Sequence, residues 1–538
     1  MKTKDQVSAE KLRGGFYSPR PLVEVCIERS ARLLGSRSQL RVLEPSSGDG
    51  AFIRGLGESI LQPRIDYLQA VEIDPAEAQK SADALESSGL PGDIRSGNVL
   101  EWHSEAPDRF DLVVGNPPYV RYQFIDEADR RRASSISSDL SIPGTAVSNL
   151  WIPVLLLSLS RLSEGGVFSF ILPTEFLTGI SASRVRGWLI RNTSDLHIDL
   201  FAPQSFPDVL QEVAVVTGRR TTDTGRKTGI VEFFDHNGGL HEWRHSISVD
   251  SKTWTSYLLS PQHNQAVKDA LSMQDIVPLS EVAKFSVSTV TGANKYFCVS
   301  TEVAEVHHLQ PWLVPLLPRT RHAPGLIFSA EEHELLASTD IPSWLLDFAP
   351  DKPAPTDSIL ASLYIQKGED ENLHTRYKTR IRSPWYRVPL VTPGELMLAK
   401  RSNRYPRMIV NQAKAFTTDT IYRGQVLPTT SLSAEDIAAS FHNSLTLLSA
   451  EIEGRSFGGG VLELVPSEIS SLSIPVTPGA GKSIDHLDKI SRTAGTEDDL
   501  VEATDALMPE WLPEMDFKHM ELIHEARLSL LNRRLERN

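Results

Sequence analysis

The stretch Val42-Leu-Glu-Pro-Ser-Ser-Gly-Asp-Gly-Ala-Phe52 reads as a short apolar strand that runs into a glycine-containing turn and then a helix. Such a turn lets a ligand approach bare backbone at the carboxyl end of a strand, where open α/β sheets bind ligands. It is not a dinucleotide-binding G-x-G-x-x-G turn, and it lacks the Lys-Ser/Thr ending of a phosphate loop. Two interpretations stay open, a ligand cradle or a tight structural turn that needs its glycines.

The chain around this stretch has the alternating pattern that is typical of a parallel sheet with crossover helices. From Arg41 to about Phe234, short runs of Val, Ile and Leu alternate with helix-like stretches, which predicts an α/β fold. The expected strands are 41–44, 67–73, 110–114, 167–172, 197–201, 213–217 and 230–234. The expected helices are 21–34, 51–60, 75–88, 149–162 and 183–191.

Two other parts of the chain depart from this pattern. Residues 120–148 are polar and too long for an ordinary connection, so we expect a substrate-facing flap or a disordered insertion there. From about Trp243 onward proline is frequent and the alternation fades, which predicts a second, mixed α+β domain. The predicted domains are therefore 1–245 and 246–538, with a charged helix over 515–537.

Composition restricts the class of protein. The chain has 538 residues, 40% of them hydrophobic and 23% charged, as in ordinary globular proteins. No apolar run approaches the ~20 residues that cross a bilayer, and the first residues lack the apolar core of a secretory signal, so we expect a cytoplasmic location without a membrane partner. Cys26 and Cys298 form neither a disulfide framework nor a metal-ligand cluster. The net charge of −14 argues mildly against a nucleic-acid partner, but a local basic surface decides that question.

An acidic side chain follows the second predicted strand, in Val71-Glu72-Ile73-Asp74-Pro75. A carboxylate at this position can accept hydrogen bonds from the paired hydroxyls of a ribose, and we assign that role to Glu72. For Asp74 we prefer a helix N-cap, with Pro75 at the first helical position.

A third strand, 110–114, is stopped abruptly by Gly115 and the tetrapeptide Asn116-Pro117-Pro118-Tyr119. Consecutive prolines remove backbone donors and fix φ, so carbonyl oxygens in the turn stay available to accept hydrogen bonds from another group. The Asn116 side-chain oxygen and the Pro117 carbonyl can hold the two hydrogens of a planar amino group, such as the exocyclic nitrogen of adenine. Tyr119 offers a face for base stacking, a contact worth ~1–3 kcal/mol. The alternative is a rigid turn whose aromatic ring packs into the core.

The motifs between residues ~12 and 235 occur in the same order as in the class I S-adenosylmethionine-dependent methyltransferases. They resemble specifically those of the gamma-class adenine-N6 DNA methyltransferases similar to the TaqI enzyme. The resemblance implies a Rossmann-like domain, S-adenosyl-L-methionine as cofactor and double-stranded DNA as substrate. In Gly15-Phe16-Tyr17-Ser18-Pro19 it implies that Ser18 contacts the methionine carboxylate. It further implies that Glu44 binds the methionine part, with Gly48 and Gly50 beneath it. The complete implied cofactor set is Tyr17, Ser18, Glu44, Ser46, Gly48, Gly50, Glu72, Ile73, Asn98, Val99 and Asn116.

The sequence departs from the family at Asn98, in Gly97-Asn98-Val99-Leu100. The family usually places an Asp here that reads the amino group of the cofactor's adenine. The amide oxygen of Asn98 can accept the same hydrogen bond, but without charge.

The resemblance extends to Ser205-Phe206-Pro207, where the family's aromatic closes over the opposite face of the target base. It implies that Phe206 stacks opposite Tyr119, and the alternative is a core phenylalanine. The adenine would be extruded from the duplex at a cost of a few kcal/mol. Direct methyl transfer, carried by Asn116, Pro117, Tyr119 and Phe206, would need neither a metal nor a covalent nucleophile.

The second domain contains a local basic segment, 376–387, with interleaved aromatic residues and no acid, and 400–407 is also basic. This pattern suits phosphate contact combined with stacking, so the domain is predicted to recognise the DNA target. A solvated cationic face with Trp385 in the core is the alternative. The predicted DNA-binding residues are Arg376, Lys378, Arg380, Arg382, Trp385, Arg401 and Arg404.

Other functions compete with a site-specific DNA methyltransferase of a restriction-modification or phage-defence system. Asn-Pro-Pro-Tyr serves any planar amide nitrogen, so a protein-glutamine methyltransferase is one alternative. A noncatalytic DNA-specificity subunit is another. A cognate restriction endonuclease or other defence-system protein is an expected partner.

Overall fold

A computed structural model of the chain describes residues 17–105, 108–143, 148–179, 182–201, 212–237, 240–457, 459–493, 495–496 and 498–536. The chain divides into two compact units, one formed by the residues up to Pro261 together with the last few residues, the other by Gln262–Leu535. That the second unit recognises DNA stays a prediction.

The first unit is built on a nine-stranded sheet. Its strands are β1 (Leu40–Glu44), β2 (Ile65–Glu72), β3 (Gly92–Ser96), β4 (Phe110–Gly115), β5 (Leu162–Pro173), β6 (Thr193–Leu200), β7 (Val213–Arg220), β8 (Thr228–Asp235) and β9 (His241–Ser248). They lie in the order β3-β2-β1-β4-β5-β7-β6-β8-β9. The first five in this order are parallel, and β7 runs antiparallel between β5 and β6. The order reverses at β1, so the carboxyl ends of β1 and β4 flank a crevice of the kind that binds ligands in α/β proteins.

Helices connect these strands. They are α1 (Arg20–Leu34), α2 (Ala51–Gly57), α3 (Pro75–Ser88), α4 (Val99–Glu105), α5 (Glu127–Asp139), α6 (Trp151–Ser160), α7 (Glu175–Thr178) and α8 (Ser183–Asn192). The predicted cap of α3 is confirmed, because the Asp74 side chain accepts from the backbone N–H of Ala76 and Glu77 and Pro75 begins the helix. The predicted α/β class is confirmed as well.

Residues 120–148 contain regular structure that the prediction of a flap or a disordered insertion missed. Helix α5 lies in this segment and begins at the N-cap Asp126, whose side chain accepts from the backbone N–H of Asp129. Only Ala133, Ile136 and Ser137 of this helix are buried. Its apolar face is therefore narrow, which explains why hydrophobic periodicity did not reveal it.

The core beside the crevice is made by α1, α2 and the central strands. Side chains such as Val42, Phe52, Leu112 and Ile171 are fully buried in one cluster, and Tyr119 packs against that cluster from its edge. The strand ends that carry the predicted site are thus fixed by a close-packed interior.

The second unit combines short strands and helices, as predicted. Its strands are β10 (Ile276–Pro278), β11 (Ala283–Ser286), β12 (Cys298–Val299), β13 (Leu313–Pro315), β14 (Ile327–Phe328), β15 (Trp344–Leu346), β16 (Leu396–Ala399), β17 (Arg401–Ser402), β18 (Met408–Asn411), β19 (Ile421–Val426), β20 (Arg455–Phe457), β21 (Val461–Glu463) and β22 (Ser473–Pro475). The largest sheet has the order β11-β19-β16-β18-β14.

The helices from Pro261 onward pack around these sheets. They are α9 (Pro261–Leu271), α10 (Asn294–Phe297), α11 (Thr301–Val306), α12 (Ala330–Ala337), α13 (Ile359–Asp370), α14 (Ala434–Phe441), α15 (Ser444–Glu453), α16 (Pro466–Ser470), α17 (Ile484–Thr493), α18 (Asp499–Trp511) and α19 (Phe517–Leu535). The last of them is the predicted charged terminal helix. Within the described ranges, no helix combines the length and the apolar character that crossing a bilayer requires.

Candidate active site

The turn after β1 uses its two glycines differently. Gly50 has φ +84°, and a Cβ there would lie 2.8 Å from the Cβ of Ala84 on α3, so a larger residue does not fit. Gly48 has φ +53°, but a Cβ there would meet nothing within 4 Å. Gly50 is therefore required by helix packing, whereas Gly48 leaves its side of the backbone open to a ligand.

The Glu44 side chain lies at the start of this turn and is only 1% exposed. Burial, followed by the nearby carboxylates of Asp49 and Glu72, raises the pKa of Glu44 well above its ordinary value. Among the described residues, none makes a hydrogen bond to its Oε2 atom. A buried carboxylate oxygen with spare capacity fits a positively charged ammonium group of a ligand.

The Glu72 carboxylate, at the end of β2, lies against the turn that follows β1. Its Oε2 accepts from the backbone N–H of Gly48 at 2.9 Å, and its Oε1 accepts from that of Asp74 at 2.9 Å. A carboxylate fixed in this way can also accept hydrogen bonds from the paired hydroxyls of a ribose. The next side chain, Ile73, is 58% exposed and offers an apolar surface beside the acid.

Asn98 lies at the end of β3 in a different role from the one predicted. Its amide oxygen accepts from the backbone N–H of Leu100 at 2.9 Å and so caps α4, whose first residue is Val99. Its amide nitrogen donates to both carboxylate oxygens of Asp129, each at 2.8 Å. The Asn98 oxygen is thus engaged in the fold, and the negative group at this point is Asp129.

The tetrapeptide after β4 meets residues from two distant parts of the chain. The Ser46 hydroxyl donates to the Asn116 backbone carbonyl at 3.1 Å, and the Asn116 amide nitrogen donates to the Ser18 hydroxyl at 3.3 Å. Three residues of the predicted site, from the N-terminal segment, the β1 turn and the β4 turn, are therefore neighbours.

Tyr119 is half-buried, and its hydroxyl donates to the Ile171 carbonyl at 3.0 Å. Burial raises the pKa of this hydroxyl well above its ordinary value, so it stays neutral. Among the described residues, none donates to the Pro117 carbonyl.

Of the predicted residues Tyr17 and Phe206, the structure describes only Tyr17. Tyr17 is exposed, and its hydroxyl donates to Glu77 Oε1 at 3.2 Å on the surface of α3. Phe206, together with Ser205 and Pro207, lies outside the described residues.

The six cations among the predicted DNA-binding residues fall into three groups. Arg376, Lys378 and Arg380 are exposed, and none of them pairs with a carboxylate among the residues that the structure describes. Arg401 pairs with Glu463 and Arg404 with Asp498, and each of these carboxylates also pairs with a second cation, Lys400 and Arg527 respectively. Arg382 donates to the carbonyls of Val290 and Thr291. The exposed cations form one surface, which we call the 376–380 patch.

Trp385 was wrongly assigned to DNA contact. It is 8% exposed, packs with Tyr296 and Phe297 in an aromatic cluster, and donates its indole N–H to Glu369 at 3.1 Å. The alternative of a core tryptophan is correct, because the indole has no free face to stack on a base.

Sequence reasoning missed two residues with functional potential. Tyr377 is 68% exposed in the 376–380 patch, with Lys378 and Arg380 near its ring. Its position in the basic segment could have predicted an exposed ring beside the cations. Asp129 lies in a polar segment without a recognisable motif. Its spacing from Asp126 predicts the start of a helix but not a ligand contact.

Two family models match consecutive parts of the chain. Residues 72–206 match the Eco57I restriction-modification methylase, and residues 251–508 match the C-terminal domain of the type II methyltransferase M.Eco57I. The first match contains Glu72, Asn98 and the tetrapeptide, and the second contains the 376–380 patch.

Full-length relatives agree with these matches. Type II methyltransferase M.AccI of Acinetobacter calcoaceticus is 24% identical over 85% of this chain and 84% of its own. Type II methyltransferase M.XamI of Xanthomonas campestris pv. amaranthicola is 26% identical over 86% of this chain and 85% of its own. The solved structure of the type IIG restriction endonuclease BpuSI covers 98% of this chain and 67% of its own at 16% identity, with a TM-score of 0.45. The two family matches show Eco57I-type restriction-modification methylase domains in this chain, and together with the two relatives they support a DNA methyltransferase.

Proposed function

We propose that this chain transfers a methyl group from S-adenosylmethionine to the exocyclic N6 of an adenine that is flipped out of duplex DNA at a defined sequence. The observation that carries the proposal is the arrangement of Asn116. Its amide nitrogen donates to Ser18, so its amide oxygen is turned away from Ser18 and serves as an acceptor.

The chemistry needs two acceptors at the amino group. The lone pair of an exocyclic adenine nitrogen is delocalised into the ring, and hydrogen bonds from its two N–H groups to Asn116 Oδ1 and the Pro117 carbonyl favour a pyramidal nitrogen. Pro117 is suited to this because no described residue donates to its carbonyl. As the N–C bond forms, the methyl–sulfur bond breaks, and the nitrogen then loses one proton to solvent.

The fit of the cofactor can be judged from the residues around the β1 turn. Glu44 fits the ammonium group, the open backbone at Gly48 fits a closely approaching chain, and Glu72 with Ile73 fits a ribose and a planar base. When bound, S-adenosylmethionine supplies the activated methyl group. The protein residues supply position and alignment, which dominate a direct displacement.

Tyr119 supports the choice of a base as substrate. Its hydroxyl is fixed by Ile171, so the ring is held rigidly at the end of β4. A rigid ring stacks on a flipped base without losing rotamer freedom, which offsets part of the unpairing cost of a few kcal/mol. Phe206 is proposed as the partner on the other face.

DNA would be held by the second unit through the 376–380 patch. Its unpaired cations suit phosphate contact and Tyr377 suits stacking, although the whole chain carries a net charge of −14. A restriction endonuclease that cuts the same sequence is the expected functional partner.

The test is single-molecule sequencing of DNA from cells that express the wild type, Asn116→Ala or the control Asn237→Ala. Asn237 is an exposed asparagine of the same unit. We expect N6-methyladenine in one defined motif with the wild type and the control, and none with Asn116→Ala. Methylated cytosine in its place would overturn the choice of adenine. Methylation of a glutamine-containing protein substrate, with unmodified DNA, would favour the glutamine methyltransferase.

A second measurement separates an enzyme from a noncatalytic specificity subunit. Calorimetry with S-adenosylmethionine should show binding by the wild type and loss of binding in Glu72→Ala. A wild type that binds DNA but no cofactor would contradict the proposal.

A further inference from the structure

The contact between Asn98 and Asp129 joins two helices that follow different strands. Asn98 caps α4 after β3, whereas Asp129 lies in the first turn of α5, beyond the tetrapeptide. The two side chains meet through two hydrogen bonds of 2.8 Å, and the Asp129 side chain is 15% exposed. A carboxylate is therefore fixed beside the end of β3.

This point adjoins the predicted ribose site. Ser96 lies opposite Glu72 in the pairing of β2 with β3, and the backbone N–H of Gly97 donates to the Glu72 carbonyl at 2.7 Å. Asn98 is the next residue, and the exposed Ile73 follows Glu72. A base attached to a ribose at Glu72 would rest on Ile73 with its edge toward Asn98 and Asp129.

The two side chains differ in what they can offer to that edge. The Asn98 oxygen accepts from Leu100 to cap α4, and its nitrogen is directed to Asp129, so the charged acceptor at this point is Asp129. Asp129 Oδ1 accepts from Asn98 and Arg132, while Oδ2 accepts from Asn98. Oδ2 thus has capacity for another donor, because a carboxylate oxygen carries two lone pairs.

The Asp129 side chain is also held in its place. It lies in the first turn of α5, where the helix dipole favours a negative charge. Arg132 donates to it at 2.8 Å and pairs with Glu101 of α4, which ties the two helices together a turn further on.

We propose that Asp129 accepts a hydrogen bond from the amino group of the cofactor's adenine, and that Asn98 is a positioning residue for it. The proposal rests on the proposed function, since it concerns the same cofactor. It makes the segment after the tetrapeptide part of the cofactor site, and it gives the site a negative acceptor in place of the neutral one predicted from Asn98.

The test compares two ligands by calorimetry, S-adenosylhomocysteine and its analogue in which the purine carries hydrogen in place of the 6-amino group. The wild type should bind S-adenosylhomocysteine at least about tenfold more tightly than the analogue, because the analogue lacks the amino group that donates a hydrogen bond to the carboxylate. Asp129→Ala should lose that preference while binding the analogue within about twofold of the wild type.

Two further variants separate ligand contact from a structural role. Asn98→Ala keeps the carboxylate but loses its positioning, so the preference should fall only in part. Glu127→Gln, which breaks the exposed pair of Glu127 with Arg131 on the same helix, should leave the preference unchanged. An equal loss of both ligands in Asp129→Ala, or an unchanged preference, would overturn this assignment alone. Absence of S-adenosylhomocysteine binding by the wild type would overturn the proposed function and this assignment with it.

Discussion

The amide nitrogen of Asn116 lies 3.3 Å from the hydroxyl of Ser18, although the two residues are 98 positions apart in the chain. This contact orients the amide, because a donor on one side of the planar group leaves the oxygen on the other. The N-terminal segment therefore fixes the direction of the acceptor that the proposed chemistry needs.

Loss of that contact should be measurable in turnover. In Ser18→Ala the Asn116 amide loses this orienting contact, and we expect methyl transfer to DNA to slow about fivefold, the value of a hydrogen bond near 1 kcal/mol. The assay is the transfer of tritiated methyl groups to a duplex oligonucleotide. Ser87→Ala, which changes a serine at the end of α3, is the control. Equal rates for Ser18→Ala and the control would contradict the orienting role.

The two glycines of the β1 turn should respond differently to alanine. Gly50→Ala places a Cβ 2.8 Å from Ala84 at a positive φ, so we expect the free energy of unfolding to fall by about 2 kcal/mol or more. Gly48→Ala has only the conformational cost of about 1 kcal/mol and should instead weaken S-adenosylmethionine binding. Urea unfolding and calorimetry on both variants check this. Strong cofactor binding by Gly48→Ala would exclude an approach over Gly48.

Glu44 should make stability depend on pH. Burial raises its pKa, so the folded protein holds this proton more tightly than the unfolded chain. The resulting stabilisation is present below the ordinary glutamate pKa of about 4.3 and is lost as the pH rises toward the pKa of the folded protein.

Glu44→Gln removes this dependence. At neutral pH we expect the variant without cofactor to gain on the order of 1 kcal/mol over the wild type, and the gain to vanish near pH 4. Its affinity for S-adenosylmethionine should fall, because the partner of the ammonium group is lost. Urea unfolding across the pH range measures the first effect. A gain that does not change with pH would show that Glu44 is not the responsible group.

The cations of the second unit should separate into two kinds. Arg376→Ala, Lys378→Ala and Arg380→Ala should each weaken DNA binding at all sequences and reduce the dependence of log K on log salt by about 0.9. Arg401→Ala should reduce the salt dependence less, because Arg401 is already paired with Glu463. Fluorescence anisotropy at several salt concentrations measures both. A salt dependence reduced only in Arg401→Ala would reverse the assignment.

Local sequence was sufficient for much of the fold. The apolar run located β4, and the cap of α3 at Asp74 was predicted from the Asp-Pro pair. Strand β3 was missed because it lies at the sheet edge, and its sequence Gly-Asp-Ile-Arg-Ser buries no side chain fully. Edge elements bury few apolar side chains, so they leave little periodic signal.

The candidate site shows a similar division. The tetrapeptide and the β1 turn are each one continuous stretch of sequence. A chemistry could therefore be predicted for each of them without knowledge of the fold. The partners of Arg401 and Arg404 lie 62 and 94 positions away, so their pairing could not. The same holds for Trp385, since an aromatic residue among cations suits either stacking or a core until its packing is known.

The antiparallel β7 has a consequence for the connection that carries Phe206. Leu200 at the end of β6 lies opposite Ala214, and Val213 at the start of β7 lies opposite Pro173 at the end of β5. Both anchor points of residues 201–212 are thus built into the edge of the sheet that also carries Asn116. A change of sequence in the connecting segment therefore leaves the two strand ends that flank it, and the sheet beside Asn116, in place.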